Sequence, residues 1–207
     1  MNSFNGQTWV AYSDLCGLKA MYASAPEEAV KALDKFYNTV YELQRDKNSV
    51  NYIVVSDCAI FWIDKPDCIK DLSIVLKESK ELYQKMLPDY LVRTTIAYGH
   101  FKYENRIEMP CIRKELIVGA AYLDAYANND KIATGAIAIV KLHGNTPLEN
   151  ISIDDDYKQL IKEHSPKKSF YEYYWSLQNE SQIGSFVNKR KEIQNTIFQK
   201  LKELYSE

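Results

Sequence analysis

Apolar and polar positions along this 207-residue chain switch between two periods, and the switches mark out strands and helices. Residues 8–18 (TWVAYSDLCGL) are apolar with little interruption and predict a buried strand ending at Gly17. Pro26-Glu27-Glu28 opens a helix over 27–44, with Pro near the first turn and acids at the positive end of the dipole. Residues 50–63 predict a second strand region, in whose middle Ser56-Asp57 turns the chain back as a tight hairpin. A helix follows over 67–87 between Pro66 and Pro88, then a strand over 91–103. Residues 104–112, with Pro110, predict a loop, and 113–128 predict a helix. A short strand is predicted at 136–142, a weakly patterned polar stretch over 143–167 and an aromatic edge strand over 168–177. Residues 182–205 carry one apolar stripe and predict a single amphipathic helix. The leading order, β-α-β-β-α-β, is the ferredoxin-like arrangement of an α+β fold, here with extra C-terminal strands and a C-terminal helix. Residues 1–177 form its main unit, and 178–207 a helical extension of the same domain.

Composition narrows what such a fold could do. The chain is 46% hydrophobic and 13% aromatic, enough for a full core, and sixteen tyrosines suit strands and half-buried faces. A net charge of −2 supplies no field for nucleic acid. The run FYEYYW (170–175) lacks dense flanking charge and predicts core packing rather than a stacking platform. Four cysteines form no CxxC pair and three histidines lie far apart, which disfavours zinc. No apolar stretch reaches the roughly 18 residues of a membrane span. The N-terminus carries no charged segment followed by an apolar run. A reduced, cytoplasmic protein without a membrane partner is expected.

The chemistry rests on two acids. Asp14 and Asp57 each interrupt an apolar strand region, where a carboxylate is costly without compensation. The ferredoxin-like order makes their strands neighbours, and two close carboxylates repel unless a cation lies between them. Magnesium or manganese uses one or two carboxylates plus substrate phosphates. The turn at Cys16-Gly17 can offer backbone N–H groups to phosphate. The plainer alternative is that Asp14 is a turn residue and Asp57 a hairpin residue.

Four segments in order resemble class III nucleotidyl cyclases. YSDLCGLK (12–19) resembles their first metal motif, and VVSDCAIFW (54–62) their second. RTTIAYGHF (93–101) resembles a later strand that begins with Arg and runs to a Gly. VGAAYLDAYANND (118–130) falls where those enzymes carry a dimer-interface helix, and looks most like the pyrimidine cyclases of Pycsar anti-phage systems. The resemblance covers about residues 8–142, with weaker similarity to 177. It implies two Mn2+ (or Mg2+) ions per site, held by Asp14, Leu15 and Asp57. It implies nucleotide contacts at Tyr12, Leu15, Cys16, Gly17, Leu18, Asn51, Tyr52, Ile53 and Arg93. The amides of Leu15, Cys16 and Gly17 would hold phosphate, and residues near 51–53 would face the base. Strand alternation, however, puts Tyr52 on the opposite face from Asn51 and Ile53. A head-to-tail homodimer is implied, with Tyr122 and Tyr126 as candidates for its cross-interface face.

The departures are as informative. The purine enzymes carry a base-reading Lys or Glu four residues before the second Asp, where Ile53 stands here. An Asn and an Arg of their interface helix are replaced by Leu123 and Ala127. UTP or CTP is therefore the expected substrate, its cyclic product a second messenger for a separate effector protein. Arg113-Lys114 and Lys162, Lys167 and Lys168 are further candidates for the triphosphate tail, or simply solvated charge. His100 is expected to be a surface strand residue rather than a base. Two alternatives stay open: a silent cyclase-like nucleotide sensor, and a ferredoxin-like interaction domain that binds no nucleotide.

Overall fold

The computed structural model describes residues 3–45, 50–109, 112–140, 148, 151, 153–163, 170–193 and 198–206, with backbone only at 106–109 and 112–115. Its axis is β1 (Phe4–Leu15), which starts four residues before the predicted strand. Its odd positions Trp9, Ala11 and Leu15 enter the main core, while Val10 enters a second cluster on the other face. Strand alternation thus spends both faces on burial. β1 runs antiparallel to β3 (Cys58–Ile63) on one side and to β4 (Val92–Met109) on the other. β2 (Val50–Val55) pairs antiparallel with β3, which gives the ferredoxin-like order β2-β3-β1-β4.

Helices α2 (Pro26–Arg45) and α3 (Leu72–Met86) cover the main-core face with Phe36, Val40, Leu43, Val75, Leu76 and Leu82. Each such side chain contributes about 1.5–3 kcal/mol on burial. A short helix, α1 (Leu18–Ser24), precedes them. It was absent from the predicted elements because seven residues hold barely two helical turns of pattern.

Past β4 the chain departs from expectation. Of the predicted loop at 104–112, residues 104–109 continue β4, residue 112 opens the next strand, and 110–111 lie outside the described residues. The first part of the predicted helix at 113–128 is strand β5 (Ile112–Val118), paired antiparallel with β4. The helix itself, α4 (Ala120–Asn129), begins only after Gly119. Gly119 has φ +139°, and a Cβ there would lie 2.2 Å from the His100 carbonyl oxygen. The strand can therefore turn into the helix only where a side chain is missing. α4 packs Ala121 and Ala125 onto the face opposite α2 and α3.

β6 (Ile137–Val140) runs parallel to β4 and extends the sheet through β8 (Phe170–Tyr173) to β7 (Ile161–Glu163). The aromatic strand is thus interior, not an edge. The edge is β7, which with α5 (Asp155–Lys158) arises from the weakly patterned stretch. The single C-terminal helix is two, α6 (Ile183–Glu192) and α7 (Phe198–Ser206). The first stops where Ile193 turns extended, with φ −84° and ψ 120°. Phe186, Leu201, Leu204 and Tyr205 bury these helices in the main core. Among the described residues no helix is long and apolar enough to cross a membrane.

Candidate active site

The end of β1 brings the two acids together. Asp14 lies opposite Cys58 of β3 and Arg93 of β4. Asp57 sits in the two-residue β2–β3 turn, and its carbonyl accepts a hydrogen bond of 2.8 Å from the Leu15 N–H. That bond ties the turn to the residue after Asp14.

Burial pushes the Asp14 carboxyl above its ordinary value; Arg93 opposes the shift and Asp57 adds to it. Arg93 donates from Nε to Oδ2 at 3.0 Å, and its Nη2 lies 2.9 Å from the same oxygen. The same Nη2 lies 2.6 Å from Oδ1 of Asp130, at the end of α4. One guanidinium thus partly neutralises Asp14 and leaves its second oxygen for another cation. Among the described residues no group of three or more His, Cys, Asp or Glu could enclose a metal. Two carboxylates and nearby main chain are an incomplete set by themselves. They fit a hard divalent ion that completes its shell with substrate phosphates and water.

The predicted nucleotide contacts divide. The N–H groups of Leu15 and Cys16 are donated to Asp57 and to the Leu91 carbonyl (2.9 Å), so those two amides do not hold phosphate. Their side chains are buried, as is that of Leu18, and burial pushes the Cys16 thiol up to about 12. Gly17 caps α1 with φ 82° and ψ 5°, a left-handed conformation that favours glycine.

Tyr52 cannot face a nucleotide. It is buried on the α2/α3 side, stacked on Phe61 at 5.0 Å and donating to Oε2 of Glu78 at 2.5 Å. Ile53 lies on the opposite face, buried with Val10, Ile60 and Trp62. Alternation places Asn51 with Ile53, and its Nδ2 is buried without a hydrogen-bond partner.

Tyr12 shares the face of Asp14 and lies near the Cys58 thiol, and burial keeps its phenol protonated. Its ring meets Tyr126 edge-on at 5.3 Å and Tyr122 at 6.5 Å, all within one chain. Both rings therefore touch their own chain's Tyr12, while Tyr126 (55% exposed) and Leu123 (56% exposed) also present surface outward. His100 pairs with Asn5 at 2.9 Å on the surface, and Lys162 with Glu180 at 2.5 Å. The side chains of Arg113 and Lys114, and all of Lys167 and Lys168, lie outside the described residues.

Asp130 and Asn129 were missed in the sequence. Asn129 donates from Nδ2 to the Tyr12 carbonyl at 3.1 Å and to Thr95 Oγ1 at 3.2 Å, pinning the end of α4 to the site. The available signal was spacing: Asp130 lies one helical turn beyond Tyr126.

No family model and no curated protein matches this sequence. Solved structures do match its fold. The guanylyl cyclase Cya2 is similar over 83% of this chain and 92% of its own, at 17% identity and TM-score 0.56. The adenylyl cyclase CyaB from P. aeruginosa is similar over 83% and 95%, at 17% identity and TM-score 0.55. The guanylate cyclase domain of RhGC from Catenaria anguillulae, solved in complex with GTP, is similar over 84% and 97%, at 11% identity and TM-score 0.61. The chain has the class III nucleotidyl cyclase fold.

Proposed function

We propose that this protein is a nucleotide cyclase that converts UTP, with CTP as second choice, into the 3′,5′-cyclic monophosphate and pyrophosphate. The carrying observation is the pair Asp14 and Asp57, joined through the Leu15–Asp57 backbone bond at the end of the central strand. Adenylyl and guanylyl cyclases among the structural neighbours support the reaction class. Mn2+ or Mg2+, two ions per site, would be held by Asp14, Asp57 and the Leu15 main chain. When bound they stabilise charge on the 3′-oxygen and on the departing pyrophosphate.

The chain's own residues do the rest. The 3′-oxygen forms its bond to the α-phosphorus as the bond to pyrophosphate breaks, and the hydroxyl proton leaves to solvent. Arg93, held between Asp14 and Asp130, offers its remaining nitrogen to phosphate oxygens. The face with Tyr12, Ile53 and Asn51 receives the base. Ile53 brings no charge to a purine edge, and the unspent amide of Asn51 suits a base carbonyl. The outward Leu123 and Tyr126 suit a second copy of the chain in a homodimer. The cyclic product would act in the cytoplasm as an antiviral second messenger on a separate effector, as in Pycsar systems.

The test is incubation with each of the four NTPs and Mn2+. Cyclic UMP or CMP is expected, and its loss in Asp14→Ala and Asp57→Ala. Absence of both products would sink the reading. Nucleotide binding without turnover would favour the silent sensor, and no thermal shift with any NTP the interaction domain.

A further inference from the structure

The C-terminal helix α7 stands directly behind the end of β1 that carries Asp14. A Cβ on Gly17 would lie 2.9 Å from the Phe198 ring, so the turn after Leu15 rests on that side chain. The turn entering β6 lies alongside. Thr134 and Gly135 lie beside the buried Cys16 thiol, which itself points to the Asp14 carbonyl at 3.9 Å. The Tyr205 hydroxyl donates to the Thr134 carbonyl at 3.1 Å, and the Trp175 indole N–H donates to the Gly135 carbonyl at 2.9 Å. Trp175 and Tyr205 stack at 5.3 Å and 4°. Two separate turns, after β1 and before β6, therefore share one wall, built by the two ends of α7.

Beside this contact is a cavity of about 330 Å³, lined among others by Ala20, Met21, Tyr90, Leu91 and Phe198. The segment after Asp14 has room to move there unless Phe198 holds it. We propose that Phe198 is a positioning residue: α7 braces the Asp14–Gly17 segment and fixes the carboxylate against Asp57. The consequence for turnover rests on the cyclase reading, while the brace itself does not. Between the two ends of α7, Lys202 also donates to the Asp89 carbonyl at 3.0 Å, on the rim of the same cavity. The C-terminal extension thereby becomes part of the working site.

Two measurements on the full chain test this. The first is amide hydrogen exchange without nucleotide. The reporters are the Leu15 and Cys16 amides, whose acceptors are the Asp57 and Leu91 carbonyls. Phe198→Ala is expected to cut their protection about tenfold, and Phe198→Leu to restore most of it. Leu201→Ala, in a fully buried position on the same helix, is the control for lost stability. It is expected to lower the melting temperature at least as far and leave those two amides protected. The second is turnover of UTP with Mn2+ at 25 °C: kcat falls about tenfold in Phe198→Ala, while Leu201→Ala stays near the parent. Unchanged protection at Leu15 and Cys16 in Phe198→Ala overturns the brace. So does a loss in both variants that merely follows their melting temperatures. If the parent makes no cyclic product, the cyclase reading fails, and exchange alone still decides the brace.

Discussion

Removing Arg190 should unfasten the C-terminal helices at a cost that can be worked from the structure. Arg190 of α6 and Glu172 of β8 are 9% and 2% exposed. They form a two-pronged ion pair: Nη2 meets Oε2 at 2.9 Å, and Nη1 meets Oε1. Nη1 also donates to the Tyr205 hydroxyl at 3.2 Å, and the guanidinium lies 5.5 Å from the Phe186 ring centre. Burial works against the guanidinium's charge, but the Glu172 and Tyr205 contacts outweigh it and hold its pKa above the ordinary value.

Arg190→Met keeps much of the apolar stem and removes the guanidinium from the buried Glu172 carboxylate. Breaking a buried pair this way costs about 3–5 kcal/mol. A chain of this size loses roughly 2–4 °C per kcal/mol, so the melting temperature should fall by about 6–20 °C. Glu172→Leu with Arg190→Met removes both charges and should recover most of that loss, since paired apolar replacement is often neutral. Urea and thermal melts of the parent, both single variants and the double variant close the cycle. A single-variant loss below about 1 kcal/mol, or a double variant no more stable than Arg190→Met, refutes the reasoning.

Two further substitutions probe the site and the strand that precedes α4. Asp14 has a raised folded-state pKa, so its contribution to stability is full below the unfolded value and lost as pH rises through the folded one. Asp14→Asn should therefore melt no lower than the parent at pH 7 in EDTA, lose that relative advantage near pH 4, and show no stabilisation by Mn2+; melts across that range check the sign. Gly119→Ala places a Cβ 2.2 Å from the His100 carbonyl oxygen at φ +139°. A loss of about 4 kcal/mol or more is expected, read by circular dichroism. A near-parental melt would show that the strand-to-helix turn relaxes cheaply.

Much of the core was legible along the chain because its signals are local. Period-two and period-3.6 patterns identified β1, α2, the β2–β3 hairpin and α3, and their order implied the sheet. The same alternation put Tyr52 on the opposite face from Asn51 and Ile53, as the Glu78 bond bears out. The order of elements brought Asp14 and the hairpin residue Asp57 together, though only as candidates. What local patterns could not decide were contacts between distant segments. Residues 112–118 carry a pattern that a helix or a strand could use, and pairing with β4 settled it. Arg93 was a charge at a strand start until β1 and the end of α4 brought Asp14 and Asp130 to it. The amides after Asp14 looked free for phosphate until the fold supplied the Asp57 and Leu91 carbonyls as acceptors. Gly17 carried no sign of Phe198, which is far along the chain and meets it only once α7 has docked. Residue order thus determined most of the elements and the presence of two acids, one at the end of β1 and one in the β2–β3 turn. Burial and long-range hydrogen bonding, which exist only after the chain closes on itself, decided which groups those acids meet and which remain free to act.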